Sequence, residues 1–232
     1  MMGPNAMFDP NSIFTALRLS VTLALVTVVI AVSIGIPLAW WLAYSRNWWR
    51  DVCSSIITLP LVLPPTVLGF YLLLALGPSG LGAVAAHITG RSTFAFSFAG
   101  LTIGSVIAAL PYIVQSTQAA FETIGHKPIE IAYTLRTPPL RAFLSVALPL
   151  AAPGIIAGAV IAFAHTIGEF GLVLMIGGDI PGQTRLLSIM LFDSVETGDW
   201  ASAHAIAGGM VAFAFMIILI LRLTQKRLTP RT

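Results

Sequence analysis

Five apolar runs, each at least as long as a bilayer is thick and nearly free of charge, constrain this chain more than any other feature. They lie at about Leu17–Tyr44, Ile56–Leu76, Phe94–Val114, Phe143–Met175 and Ala201–Leu221. A transmembrane helix needs about 20 consecutive apolar residues, whereas a transmembrane strand is shorter and alternates in character. These runs are long and unalternating, so each predicts a membrane-spanning helix. Of the 232 residues 57% are hydrophobic and only 9% charged, against about 25% charged in soluble domains. The expectation is an all-α integral membrane protein, a single transmembrane domain over residues 1–232 with about five spans. A sixth short span, or a re-entrant piece, near Leu186–Phe192 is the alternative count.

Charge placement orients the spans. The opening MMGPNAMFDPNS has no lysine or arginine, so it lacks the basic region of a cleaved signal peptide and the first helix is expected to stay. Arg46 and Arg50 follow that helix at once, which puts their side in the cytoplasm and the N-terminus outside. With five spans the C-terminus is inside. The inner segments then hold Arg46, Arg50, Lys127, Arg136, Arg141, Arg222, Lys226, Arg227 and Arg231, while the outer loops hold only Arg91 and Arg185. Asp9, Asp179, Asp193, Glu196 and Asp199 fall outside. The formal charge of +3 therefore reflects topology and calls for no nucleic acid. Cys53 stands alone, which excludes an intrachain disulfide and a zinc site built on cysteines.

The longest stretch that does not belong in a membrane is the loop at about 122–142. It carries Glu122, His126, Lys127, Glu130, Arg136 and Arg141 and is punctuated by Pro128, Pro138 and Pro139. Between the prolines Ile129, Ile131, Ala132 and Leu135 recur at helical spacing, predicting a short amphipathic helix begun by Pro128 and stopped before Pro138. Such a helix lies on the bilayer, forms a bend, or enters a groove on another protein.

The exact string narrows these options. Glu130, Ala132, Arg136, Val146, Leu148 and Pro149 fall on the spacing E-A-A, three residues, G, nine residues, I-x-L-P. In this the loop resembles the coupling segment of the permease subunits of ABC importers, which fits a cleft of a cytoplasmic ATPase. Ile131 replaces the second alanine and Arg136 the glycine. Glycine at such a place permits positive φ, so an arginine calls for another way to turn, which Pro138 and Pro139 offer.

Two further strings are similar to permeases for molybdate and related oxyanions. The second span begins LPLVLPPTVLG, with Pro60, Pro64, Pro65, Thr66 and Gly69. Prolines at membrane depth either kink a helix end or open backbone onto a cavity, and the resemblance favours a helix bordering the pathway. IPGQTR, ending at Arg185, is the second. Arg185 contacts an acidic patch on a partner, here the solute-binding protein, or anchors at the interface.

The sharpest intramembrane feature is HTIGEFG, with His165 and Glu169 four apart near the end of the fourth span. Thr166, Gly168 and Glu169 join Pro64, Pro65, Thr66 and Gly69 as candidate pathway or gate residues. One His and one Glu are too few for a metal site, which leaves a proton relay or a carboxylate that accepts hydrogen bonds from backbone freed at Gly168 and Gly171. A carboxylate repels an oxyanion, so a gate or structural role suits Glu169 better than a binding pocket. Small residues four apart (Gly100, Gly104, Ala108; Gly154, Gly158, Ala162; His204, Gly208, Ala212) predict close helix packing, with one row left for a subunit interface.

No G-x-x-x-x-G-K-[ST], Gly-x-Ser-x-Gly or His-Glu-x-x-His string is present, so neither nucleotide binding nor hydrolase chemistry is expected of the chain itself. The resemblance implies a multi-pass permease of the bacterial inner membrane. It implies a homodimer, two ATPase copies holding ATP and magnesium, and an extracytoplasmic molybdate-binding protein. The coupling contacts would be Glu130, Ile131, Ala132, Leu135, Arg136 and Leu140. Sulfate or tungstate is the alternative cargo. A proton-coupled secondary transporter using His165 and Glu169 and an intramembrane enzyme are the rival classes. The first usually has inverted repeats, which are not evident, and the second needs a facing nucleophile and base.

Overall fold

Prolines and glycines cut the apolar runs into rods. The computed structural model describes residues 10–78, 80, 82 and 93–228, so Asp9, Arg91 and Arg231 lie outside it. The helices are α1 (Pro10–Tyr44), α2 (Trp49–Val62), α3 (Pro65–Leu76), α4 (Phe98–Ile124), α5 (Lys127–Thr134) and α6 (Pro139–Ala142). A π-helical turn at Phe143–Ala147 leads into α7 (Leu148–Gly168), followed by α8 (Gly171–Gly177), α9 (Leu187–Glu196) and α10 (Trp200–Leu228). No strand occurs among the described residues.

Four segments are long and apolar enough to cross a bilayer: Asn11–Tyr44, Phe98–Ile124, Pro139–Gly168 and Trp200–Leu223. The expected second span is the α2–α3 pair, bent by 111°. Leu63 and Pro64 are both extended at the bend. Pro64 disfavours helix in Leu63 and Pro65 opens α3, so these two prolines place the turn, while Pro60 lies inside α2.

Three further expectations are refined. The third span does not stop at Val114, because the polar side chains beyond it find partners on neighbouring helices or one turn along their own. Gln115 donates to Thr58 Oγ1 (3.2 Å), Ser116 to the Gly154 carbonyl (2.8 Å) and Gln118 to Glu122 (2.9 Å), and α4 runs on to Ile124. The fourth run is not one continuous helix; it breaks at Glu169–Phe170 into α7 and α8. Near Leu186–Phe192 stands α9, whose 10 residues rise only about 15 Å, too short to cross.

The centre of the bundle is α4 between α1 and α7. Glycine makes this packing feasible: a Cβ on Gly158 would lie 3.0 Å from the Ile113 Cα, and one on Gly154 2.5 Å from the Ala120 Cβ. Ala31, Ala109, Ile113 and Ala162 complete that seam. The third row behaves differently. A Cβ on Gly208 would meet nothing within 4 Å, and only 6% of the apolar window of α10 is buried.

Candidate functional site

The loop between α4 and α7 is built by its turn residues. Gly125, at φ +67°, ends α4, and Pro128 occupies the first turn of α5. Below the loop, Tyr44 Oη donates to the carbonyls of Phe121 (3.2 Å) and Gly125 (3.1 Å). Trp40 meets Phe121 and Phe143 edge-on at 5.0 and 4.9 Å, forming an aromatic base. Arg50 pairs with Glu122 at 2.6 Å on the same side.

The C-terminus of α5 departs from what the prolines suggest. Arg136 itself adopts φ +58°, the conformation the family's glycine would take. Its N–H bonds the Tyr133 carbonyl (2.9 Å) and that of Thr137 the Ala132 carbonyl (3.1 Å). This is a complete Schellman cap, with arginine at the residue that must be left-handed. Pro138 and Pro139 start α6 rather than make the turn. Farther on, Pro149 has no N–H, and Leu148 N–H reaches back five residues to the Phe143 carbonyl, giving the π turn.

The apolar residues of α5 and its cap divide between two faces. Ile129 and Ala132, three apart, turn inward; Ile129 packs with Leu42, Val114, Phe121 and Ala147, and Ala132 is only 6% exposed. Ala132 is therefore packed against the chain's own bundle. Ile131 (61% exposed), Leu135 (75%) and, beyond the turn, Leu140 (71%) point away, with Glu130 and Arg136 exposed beside them. The chain thus exposes Ile131 and Leu135 on a loop between its candidate spans, and Leu140 at the start of the next one.

The second constellation lies where α4, α7 and the α2–α3 bend meet. A cavity of about 110 Å³ is lined by Pro60, Leu63, Pro65, Tyr112, His165 and Glu169, among others. Glu169 follows the last turn of α7 in extended conformation and is 6% exposed. One carboxylate oxygen faces His165 Nε2 at 3.0 Å, and the other accepts from Leu172 N–H at 3.4 Å, the first turn of α8. Ser188 Oγ donates to the Glu169 carbonyl (2.7 Å), tying α9 to the break. Tyr112 Oη lies 3.4 Å from His165 Nδ1.

The expected gate residues are thus only partly assembled. Pro65 and Glu169 line the cavity. Pro64 and Thr66 are exposed at the bend, where Thr66 Cγ2 abuts Gly171, and Gly168 is exposed at the end of α7. Gly69 is instead a packing residue against Leu172 and Met175 of α8, and Thr166 is buried with its hydroxyl on the Ala162 carbonyl (2.8 Å). Tyr112 is the residue that spacing did not single out. Its partner is 53 positions away, and a tyrosine in an apolar run carries no periodic signal.

On the outer loop Arg185 is committed within the chain. Its guanidinium forms a two-pronged pair with Asp179 and lies 3.8 Å from Asp193, at 14% side-chain exposure. Thr184 Oγ1 donates to the Gly177 carbonyl (2.7 Å) and closes the loop. Burial and the neighbouring Asp179 push the Asp193 carboxyl up to about 6.

The bent helix pair, the broken fourth run and the capped loop belong to a fold shared with importer permeases. The same architecture occurs in the crystal structure of a bacterial ABC transporter that imports the acidic polysaccharide alginate, with a TM-score of 0.77 at 16% identity. That match covers 99% of this chain and 85% of the other. Residues 31–232 match the model of the binding-protein-dependent transport system inner membrane component family, and the chain belongs to that family. It is 49% identical over 211 residues to the molybdenum transport system permease protein ModB of Azotobacter vinelandii, covering 91% of this chain and 93% of that one. It is 29% identical to the sulfate transport system permease protein CysT of Salmonella typhimurium, covering 85% and 71%.

Proposed function

We propose that this chain is the membrane-spanning permease subunit of an ATP-driven importer that carries molybdate into the bacterial cytoplasm. The cargo reading rests on the 49% identity to a molybdenum permease along nearly the full length of both chains, against 29% for the sulfate permease. The observation that carries the mechanism is the outward exposure of Ile131 and Leu135 on a short capped helix. Exposed apolar side chains on a loop outside the bilayer call for a protein partner. A cytoplasmic ATPase, holding ATP and magnesium, docks there.

Motion of that partner reaches the spans through contacts already described. Ile129 joins the apolar cluster of α1, α4 and the π turn, and Ala132 is buried on the same face of α5, so α5 moves with the bundle. Two permeases assemble with two ATPases and an extracytoplasmic molybdate-binding protein, with the N-terminus outside and the C-terminus inside. The outward Gly208 row of α10 is the surface suited to the second permease, because glycine there lets another helix approach closely. The test is the subunit composition of the tagged chain purified from its native membrane. Two copies with two ATPase subunits support the reading; a single copy with no ATPase overturns it.

A further inference from the structure

Arg185 closes the outer loop, and its guanidinium is shared between carboxylates from two different parts of the chain. Asp179, at the loop's other end, takes both prongs, while Asp193 projects from α9 and lies 3.8 Å away. Among the described residues the charges that act on Asp193 are Asp179 and Arg185 from the loop and Glu196 from its own helix. None comes from α1, α7 or α10, which pack against α9. One guanidinium does not neutralise two carboxylates, so the cluster is balanced only while one of them holds a proton. Asp193 is the one that does, titrating at about 6, because burial and Asp179 both disfavour its ionised form. Protonated, it is also a hydrogen-bond donor toward Asp179.

The loop is stiff within itself but poorly backed. The N–H groups of Gln183, Thr184 and Arg185 all reach the Ile180 carbonyl, at 3.1, 3.0 and 3.1 Å. Pro181 and Gly182 at the tip are nevertheless exposed, and a cavity of about 270 Å³ lies between them and Asn11, Ser12 and Thr15 of α1. The chain leaves α8 through Gly178, at φ +62°, where glycine alone is unstrained. A self-bonded loop with a glycine at its root and space behind its tip depends on its lateral tie to α9.

We propose that Asp179, Arg185 and Asp193 form a proton-operated latch, which fastens the outer loop to α9 while Asp193 is protonated and frees it toward the space beside α1 when Asp193 ionises. The fastened form holds the proton more firmly than the freed form. The tie is therefore complete below the ordinary carboxylate value of 3.8 and is lost as pH rises through about 6. On the proposed topology the latch faces outside and responds to external pH; that placement alone rests on the importer reading.

The test is hydrogen–deuterium exchange of the purified chain from about pH 4 to about pH 7.5, read on the amides of residues 179–186. Dividing wild type by Asp193→Asn at each pH cancels the intrinsic pH dependence, and asparagine keeps the neutral, donating form throughout. The gap from 3.8 to about 6 sets a ceiling of roughly a hundredfold, and solvent screening of these partly exposed groups brings the expected rise to about five- to tenfold. With Asp179→Asn the like charge is gone, and the step, measured against the double variant, is expected to shrink to less than about twofold. Should Asp193→Asn not fold, wild-type exchange corrected for intrinsic rates, with α4 in the same sample as reference, gives the same step. A ratio that stays flat with pH, or a step of undiminished size in Asp179→Asn, overturns the latch. Neither result touches the importer reading, since the measurement involves no ATPase and no cargo.

Discussion

Leu135 and Ala132 lie three residues apart on one short helix and its cap, yet their substitution should have unlike consequences. Fully burying a leucine side chain contributes about 1.5–3 kcal/mol. Leu135 is 75% exposed, so an ATPase that covers it gains about 1–2 kcal/mol from that residue. Leu135→Ala should therefore weaken ATPase binding roughly five- to thirtyfold and leave the permease's own thermal stability unchanged. Ala132 is 6% exposed against the bundle, and Ala132→Leu adds volume where none is free, at a cost of about 1–3 kcal/mol. That cost should appear in the permease alone, as a lowered unfolding temperature. The assay is titration of the purified ATPase onto permease in nanodiscs, paired with thermal unfolding of each permease variant by itself. Undiminished affinity in Leu135→Ala, together with weakened docking and unaltered stability in Ala132→Leu, would mean that the two faces of α5 have been assigned the wrong way round.

Three other outcomes follow from local geometry. Arg136→Gly removes a left-handed penalty of about 1–2 kcal/mol, offset in part by glycine's chain entropy, and should slow amide exchange at Thr137; Arg136→Pro, which removes the N–H and fixes φ near −65°, should speed it. Gly158→Val should prevent α4 and α7 from packing, since its Cβ would already stand 3.0 Å from Ile113 Cα, and is read as loss of monodisperse protein. Asp193 holds its proton more firmly folded than unfolded, so its contribution is present at low pH and is lost as pH rises through about 6. The wild-type unfolding temperature should fall between about pH 4 and 6 by an increment that Asp193→Asn lacks.

Much of this architecture is legible in hydropathy and proline placement. Apolar runs are read directly, and Pro64 and Pro65 announce the α2–α3 bend because proline acts on its own and the preceding residue. The break at Glu169 is hidden, since no proline marks it and the apolar run continues into α8; it is held by the carboxylate on Leu172 N–H and by Ser188 from a later helix. The i,i+4 spacing of His165 and Glu169 survives the break even though Glu169 has left the helix. In α5, apolar residues at 129, 131, 132 and 135 occupy both faces, so periodicity alone does not say which pair is buried. Arg136 shows the reverse lesson: the signature's spacing fixes the backbone there more strongly than the residue's own preference, and the side chain bears the strain.

The most direct test of the central claim is uptake of labelled molybdate by the wild-type permease reconstituted with its ATPase and binding protein, measured with ATP inside the liposomes and sulfate in excess outside. The account predicts molybdate accumulation that requires ATP and is not displaced by sulfate. Accumulation driven by a proton gradient without ATP, or preferential uptake of sulfate, would contradict it.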